Sequence, residues 1–195
     1  MIGIFGGSFN PVHRGHVALA EQLLQKKGLE AVWLMVSPQN PLKPAEGLMP
    51  DSLRLEMLKA AVEGHPGLVA SDYEFHLPKP SYTWHTLDRL SSDFPDKSFV
   101  LLIGGDNWEH FDRWYRHDDI LARWPVIVYP RPGTILPEGE LPEGVSVVDA
   151  ELMDISSTEI RRRLKTGEPI GQLVVPAVER ILRSRDKSQN LYPCP

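Results

Sequence analysis

The chain has 195 residues, 42% of them hydrophobic and 24% charged, with a net charge of −5. That length supports one domain burying about 70% of its unfolded surface without staples, and the acidic balance excludes a field suited to coating nucleic acid or an anionic membrane. The one cysteine, Cys194, has no intrachain partner, the apolar runs are far too short to span a bilayer and no basic leader precedes the first apolar run, so a cytoplasmic protein with neither nucleic-acid nor membrane partners is expected.

Ile2 to Phe5 is an apolar run that meets two glycines, Gly6 and Gly7, then Ser8, Phe9, the turn-forming pair Asn10-Pro11, and two histidines, His13 and His16. From Val17 the apolar spacing is helical. A strand, a tight turn and a helix follow, and in a parallel sheet such a turn lies where open α/β folds bind ligands. The helix start offers amide hydrogens and a positive dipole end, so an anion is expected there. Gly6 and Gly7 allow close ligand approach and a positive φ. Placed three apart, His13 and His16 share one helix face; imidazoles donate to phosphate oxygens and, when protonated, neutralise charge developing on them. The competing readings are a capping turn with surface histidines, or a zinc pair, which lacks a Cys or third His at ligand spacing. Neither the P-loop nor the dinucleotide glycine spacing occurs.

The first helix ends near Lys26-Lys27-Gly28, and residues 31–36 read as a second buried strand, completing a βαβ unit. Pro38, Pro41 and Pro44 stiffen the next loop, on which Lys43 can reach a ligand phosphate. Asp51 is the expected N-cap of a helix over 52–63 with Leu53, Met57, Leu58, Ala61 and Val62 as its apolar stripe, and Arg54, off that stripe, is read as a surface charge ahead of a ligand group. Residues 67–75 read as a strand, and Ser81 as a cap for a helix running to about Ser92. Residues 98–103 form a central strand ending at Gly104-Gly105-Asp106, where Asp106 either holds a ribose hydroxyl or caps a helix. Trp108, Phe111, Trp114 and Tyr115 cluster behind it, and His117-Asp118 is read as surface. Strands at 125–129 and 145–148 flank an exposed loop over 134–144.

The second anion signal is Ile155-Ser156-Ser157-Thr158-Glu159-Ile160-Arg161. A capping box accounts for Ser156 and Glu159 but not for Ser157, Thr158 and Arg161 as a set. A helix over 176–185 closes the fold. The expected architecture is a single Rossmann-like α/β domain over 1–185, a doubly wound and mostly parallel sheet, with a flexible tail at 186–195.

Gly6 to His16 resembles the GGSFNPxHxGH signature of the nicotinate-nucleotide adenylyltransferases, members of the HxGH nucleotidyltransferase superfamily. Pantetheine-phosphate adenylyltransferases usually carry Asp-Pro and Thr where this chain has Asn10-Pro11 and His13. The Lys43 loop is similar to the family's Pro-Pro-His-Lys segment, with Leu42 in place of the His. Ser81-Tyr82-Thr83 with Thr86-Leu87 resembles the Ser-Tyr-Thr-x-x-Thr-Leu segment, whose helix start gives backbone donors to a pyridine carboxylate. Trp114-Tyr115 coincides with the Trp-Tyr step whose indole stacks on the pyridine. Arg131-Pro132-Gly133 resembles the Arg-Pro-Gly turn, and residues 155–161 the Ile-Ser-Ser-Thr-x-Ile-Arg motif.

The resemblance implies adenylyl transfer from ATP, carrying Mg2+, to nicotinate mononucleotide in NAD biosynthesis. With no nucleophile in the pattern, direct in-line attack is expected. His13 and His16 are then catalytic; Gly6, Gly7, Ser8, Phe9, Arg131, Ile155, Ser156, Ser157, Thr158 and Arg161 bind ATP; Lys43, Tyr82, Thr83, Asp106, Trp114 and Tyr115 bind the mononucleotide; and no protein ligand for a metal is named. Three alternatives stay open: a pantetheine-phosphate adenylyltransferase, a nucleotide sensor without turnover, and an aminoacyl-tRNA synthetase fragment. An oligomer is compatible with the sequence.

Overall fold

The computed structural model describes residues 1–38, 47–134 and 139–186. Lys43, Leu42, Cys194 and the tail beyond residue 186 lie outside them. Six strands form one sheet in the order β3-β2-β1-β4-β5-β6, every neighbouring pair parallel. They are β1 (Ile2–Gly7), β2 (Ala31–Val36), β3 (Leu68–Ser71), β4 (Phe99–Gly104), β5 (Val126–Tyr129) and β6 (Val145–Val147).

The strands read as apolar runs because both faces are covered. Phe5, Leu34, Leu102 and Ile127 pack on one side with α1 (Arg14–Lys26), α2 (Asp51–Val62), α6 (Ser157–Thr166) and α7 (Pro176–Asp186). Ile4, Met35, Ile103 and Val128 pack on the other with α3 (Thr83–Asp93) and α5 (His117–Arg123), and the one-turn α4 (Gly105–Trp108) follows β4 directly. Chain order runs outward from β1 to β3 and from β4 to β6, so the winding reverses between β1 and β4. The crevice beyond the carboxyl ends of those two strands is the natural ligand position of such a sheet.

Four expectations are corrected. The third strand stops at Ser71, and residues Tyr73–His76 form a 3-10 turn instead. The helix at residue 51 is capped by Pro50, and Asp51 is its first residue, with its carboxylate on Arg54 and Lys79. The positive φ expected at Gly6 or Gly7 falls on Phe9, at 44°, while both glycines end β1. A Cβ on Gly7 would meet the Phe9 ring at 3.0 Å, so close approach, not dihedral freedom, requires glycine there.

The fourth correction concerns Arg54, which is fully buried. Positions 54, 57, 58 and 61 follow the i, i+3, i+4, i+7 spacing, so Arg54 belongs to the stripe it was read as missing. Its guanidinium donates to the carbonyls of Met49 at 3.0 Å, Ser8 at 2.6 Å and Ser37 at 2.9 Å, and pairs with Asp51 at 2.6 Å. A buried charge is tolerated when its donors are used in this way. Arg54 thereby ties the segment after β1 to the one after β2.

Candidate active site

Two cavities open over the β1/β4 crevice, of about 500 and about 670 Å³. Ser8, His16, Ser37, Asp106, Arg131 and Ser157 line both, forming a common wall. Gly6, Gly7 and Phe9 lie in the first cavity with Tyr82, Thr83, Trp114 and Tyr115. His13, Ile155, Ser156, Thr158 and Arg161 lie in the second. The fold therefore brings together every site residue expected from sequence except Lys43, which is outside the described residues.

The turn after β1 delivers the histidines. His13 is the N-cap of α1, and its ring stacks on His16 with centroids 3.6 Å apart. Gly15 leaves room for that geometry, since a Cβ there would lie 3.1 Å from His13 Nδ1. The His13 amide donates to His16 Nδ1 at 3.2 Å, which fixes Nε2 as the protonated nitrogen of neutral His16. Burial, with the nearby Arg131 charge, lowers the His13 pKa to about 4. Burial, His13 and Arg131 hold His16 well below the usual imidazole range. The histidines are thus neutral hydrogen-bond donors near pH 7 and not the resident cations that the sequence allowed.

The expected amide cradle at α1 also changes. Arg14 N–H donates to Leu173 O at 3.0 Å and His16 N–H to His13 O at 3.0 Å. Those two donors are used inside the protein, so side chains share anion recognition at this corner with the remaining amides. The α3 start differs. Its N-cap is Tyr82, with no side-chain cap, and Ser81 Oγ makes no hydrogen bond. First-turn amides of an uncapped helix suit a carboxylate.

At α6, Ser156 Oγ accepts from Glu159 N at 3.1 Å, whereas the Glu159 carboxylate turns to Arg162 and Arg163. The capping box is half made. Ser157 Oγ donates to Pro11 O at 2.9 Å, and Arg161 bridges Asn10 O at 2.9 Å and Thr158 Oγ1 at 3.1 Å. The two helix starts therefore meet through the Asn10-Pro11 turn. Arg131 lies 3.6 Å from Asp106 across the common wall, and its Nε is buried without a hydrogen-bond partner.

The aromatic cluster divides as well. Phe111 is buried between Trp108 and Trp114, with centroids at 5.3 and 5.2 Å. Tyr115 is exposed and stacks on His85 at 5.3 Å, beside Tyr82 at 5.1 Å. Among the described residues no group of three or more His, Cys, Asp or Glu is placed to hold a metal ion, and no helix is long and apolar enough to cross a membrane.

A cytidylyltransferase-like family model matches residues 4–163. A probable nicotinate-nucleotide adenylyltransferase of Bacteroides fragilis is 48% identical over 193 residues, covering 98% of this chain and 96% of its own. The chain belongs to the nicotinate-nucleotide adenylyltransferase family. A member from Bacteroides thetaiotaomicron is 48% identical over 93% of this chain and 90% of its own. The fold is shared with Plasmodium falciparum nicotinic acid mononucleotide adenylyltransferase, solved in complex with NaAD, at a TM-score of 0.78 and 17% identity over 95% of each chain. This family membership agrees with the fold and with the histidine, Ser-Tyr-Thr and Ser-Ser-Thr motifs meeting around one crevice.

Sequence reasoning missed Arg54 and Glu74. Arg54 was legible in its helical spacing. Glu74, buried in the wall of the first cavity, carries no motif around it.

Proposed function

We propose that the protein transfers the adenylyl group of Mg2+-bound ATP to nicotinate mononucleotide, yielding nicotinate adenine dinucleotide and pyrophosphate for NAD biosynthesis. The observation that carries this reading is the common wall. A mononucleotide in the first cavity and a triphosphate in the second meet at His16, Arg131 and Ser157.

The mononucleotide phosphate oxygen attacks the α-phosphorus, a new P–O bond forms, and the bond to the α,β-bridging oxygen breaks as pyrophosphate leaves. No side chain is adenylylated on the way, so catalysis consists of positioning and charge stabilisation. His16 Nε2–H donates to the α-phosphate as its charge grows. His13, stacked beneath it, orients the ring and the phosphates. Thr158 and Arg161, with Ser157, hold the β and γ groups, and Arg131 supplies positive charge at the wall. Asp106 takes a ribose hydroxyl, and Trp114 and Tyr115 flank the pyridine. The uncapped first turn of α3, at Tyr82 and Thr83, receives the pyridine carboxylate. The magnesium ion arrives as part of the nucleotide substrate.

Purified protein mixed with ATP, magnesium and either nicotinate or nicotinamide mononucleotide tests the reading. Pyrophosphate and the acid dinucleotide, identified by mass, are expected, with a higher kcat/KM for nicotinate. No pyrophosphate, or equal efficiency with the two substrates, would refute it.

A further inference from the structure

We propose that Glu74 is a positioning residue for the pyridine end of the first cavity, holding the first turn of α3 through Thr86. This inference rests on the function proposed above. Glu74 sits on the 3-10 turn that follows β3, is only 7% exposed, and lines the cavity together with Ser81, Tyr82, Thr83 and Thr86. Thr86 Oγ1, itself buried, donates to Glu74 Oε1 at 3.1 Å, while the Thr86 amide donates at 3.2 Å to the carbonyl of Tyr82, the residue that caps the helix. A carboxyl anchored beneath β3 is thereby linked to the residue from which the α3 amides project.

Two further atoms mark this end of the cavity as polar by construction. Glu74 Oε2 and Ser81 Oγ are buried and make no hydrogen bond. Buried polar atoms without partners are rare in folded proteins and costly to leave so. An apolar side chain at position 74 would fill the same space without that cost, so hydrophobic packing does not account for a carboxyl here. Burial pushes its pKa up, and the Thr86 hydroxyl on Oε1 works against that rise. Glu74 therefore joins the segment after β3 to the start of α3. Neither ATP-side motif is among its neighbours, so its effect should fall on one substrate only.

The test is a set of steady-state measurements on Glu74→Gln, Glu74→Ala, Thr86→Val and the double variant Glu74→Ala/Thr86→Val. Gln keeps the Oε1 acceptor for Thr86, so its KM for nicotinate mononucleotide should match the parent. Glu74→Ala and Thr86→Val should each raise that KM about tenfold, with the KM for ATP and kcat at saturation within about twofold. The double variant should be no worse than either single one, because the two residues act as a unit. Gln as damaging as Ala, both KM values rising together, or additive losses would overturn the assignment. Glu74→Gln and Thr86→Val keep it testable if Glu74→Ala does not fold. A parent without any transfer overturns both the function and this role, whereas an active parent with the wrong variant pattern overturns only the role of Glu74.

Discussion

Arg161 Nη1 donates to the carbonyl oxygen of Asn10 at 2.9 Å, joining α6 to the turn after β1. Its Nη2 reaches Thr158 Oγ1 at the same time, a two-pronged contact that a lysine ammonium cannot reproduce. Arg161→Lys keeps the charge but removes one of the two ties between the corners of the second cavity, leaving the Ser157 bond to Pro11 in place. Its KM for ATP should rise about tenfold while its KM for the mononucleotide holds, since the loss of one charge-assisted contact is worth roughly 1.5 kcal/mol or more. Initial rates with each substrate varied in turn decide this, and an unchanged KM for ATP would remove Arg161 from the phosphate site.

His16 faces both cavities and carries its proton on Nε2. Removing one preorganised donor to a developing oxyanion costs about 10² to 10³ in kcat. His16→Ala should therefore lose turnover on that scale and still bind ATP. A fall of only a few-fold would take away its role in the chemistry.

The depressed histidines also predict how stability varies with pH. His13 has a pKa of about 4 when folded, against 6.5 for an ordinary imidazole, and His16 is lowered in the same direction. Between those values the unfolded chain binds more protons, so the contribution is complete above about pH 6.5 and is lost as the pH falls towards 4. Glu74, raised by burial, acts in the opposite sense, and the exposed Glu159 and Glu168, lowered to about 2 by hydrogen bonds from Arg162 with Arg163 and Thr166, lose a solvent-screened contribution only as the pH falls from about 4.5 towards 2. Urea midpoints should drop from pH 7.5 to pH 5, and His13→Asn should flatten that drop. An equally steep profile in the variant would show that other groups set it.

Arg54→Leu leaves the Met49, Ser8 and Ser37 carbonyls without their donor. A buried carbonyl left without its donor costs roughly 1 to 3 kcal/mol, and chemical denaturation should report a loss of that order or more. The same variant should raise both KM values, because Ser8 and Ser37 belong to the common wall. Parent-like stability would mean that the three carbonyls find water without difficulty.

Most of the fold was legible because a sheet covered on both faces writes its strands as continuous apolar runs, as at 31–36 and 99–104. The motif residues were legible because glycines, paired histidines and hydroxyls cluster in short segments. Three features were hidden for physical reasons. Arg54 reads as surface by residue type, and only its register with Met57 and Leu58 betrays the burial. The engagement of the α1 amides depends on Leu173, which lies far away in sequence. Ser81 resembles a cap, but the helix begins one residue later than its position would require.

Six side chains that face two chambers at once also define a continuous path between them. A single molecule long enough to lie along that path would gain both sets of contacts for one loss of translational freedom, so tethering a pyridine acid to an adenosine through a chain that cannot be cleaved should give affinity well beyond either half alone. The same economy holds back the finished dinucleotide, so its departure is a natural candidate for the slow step of the cycle.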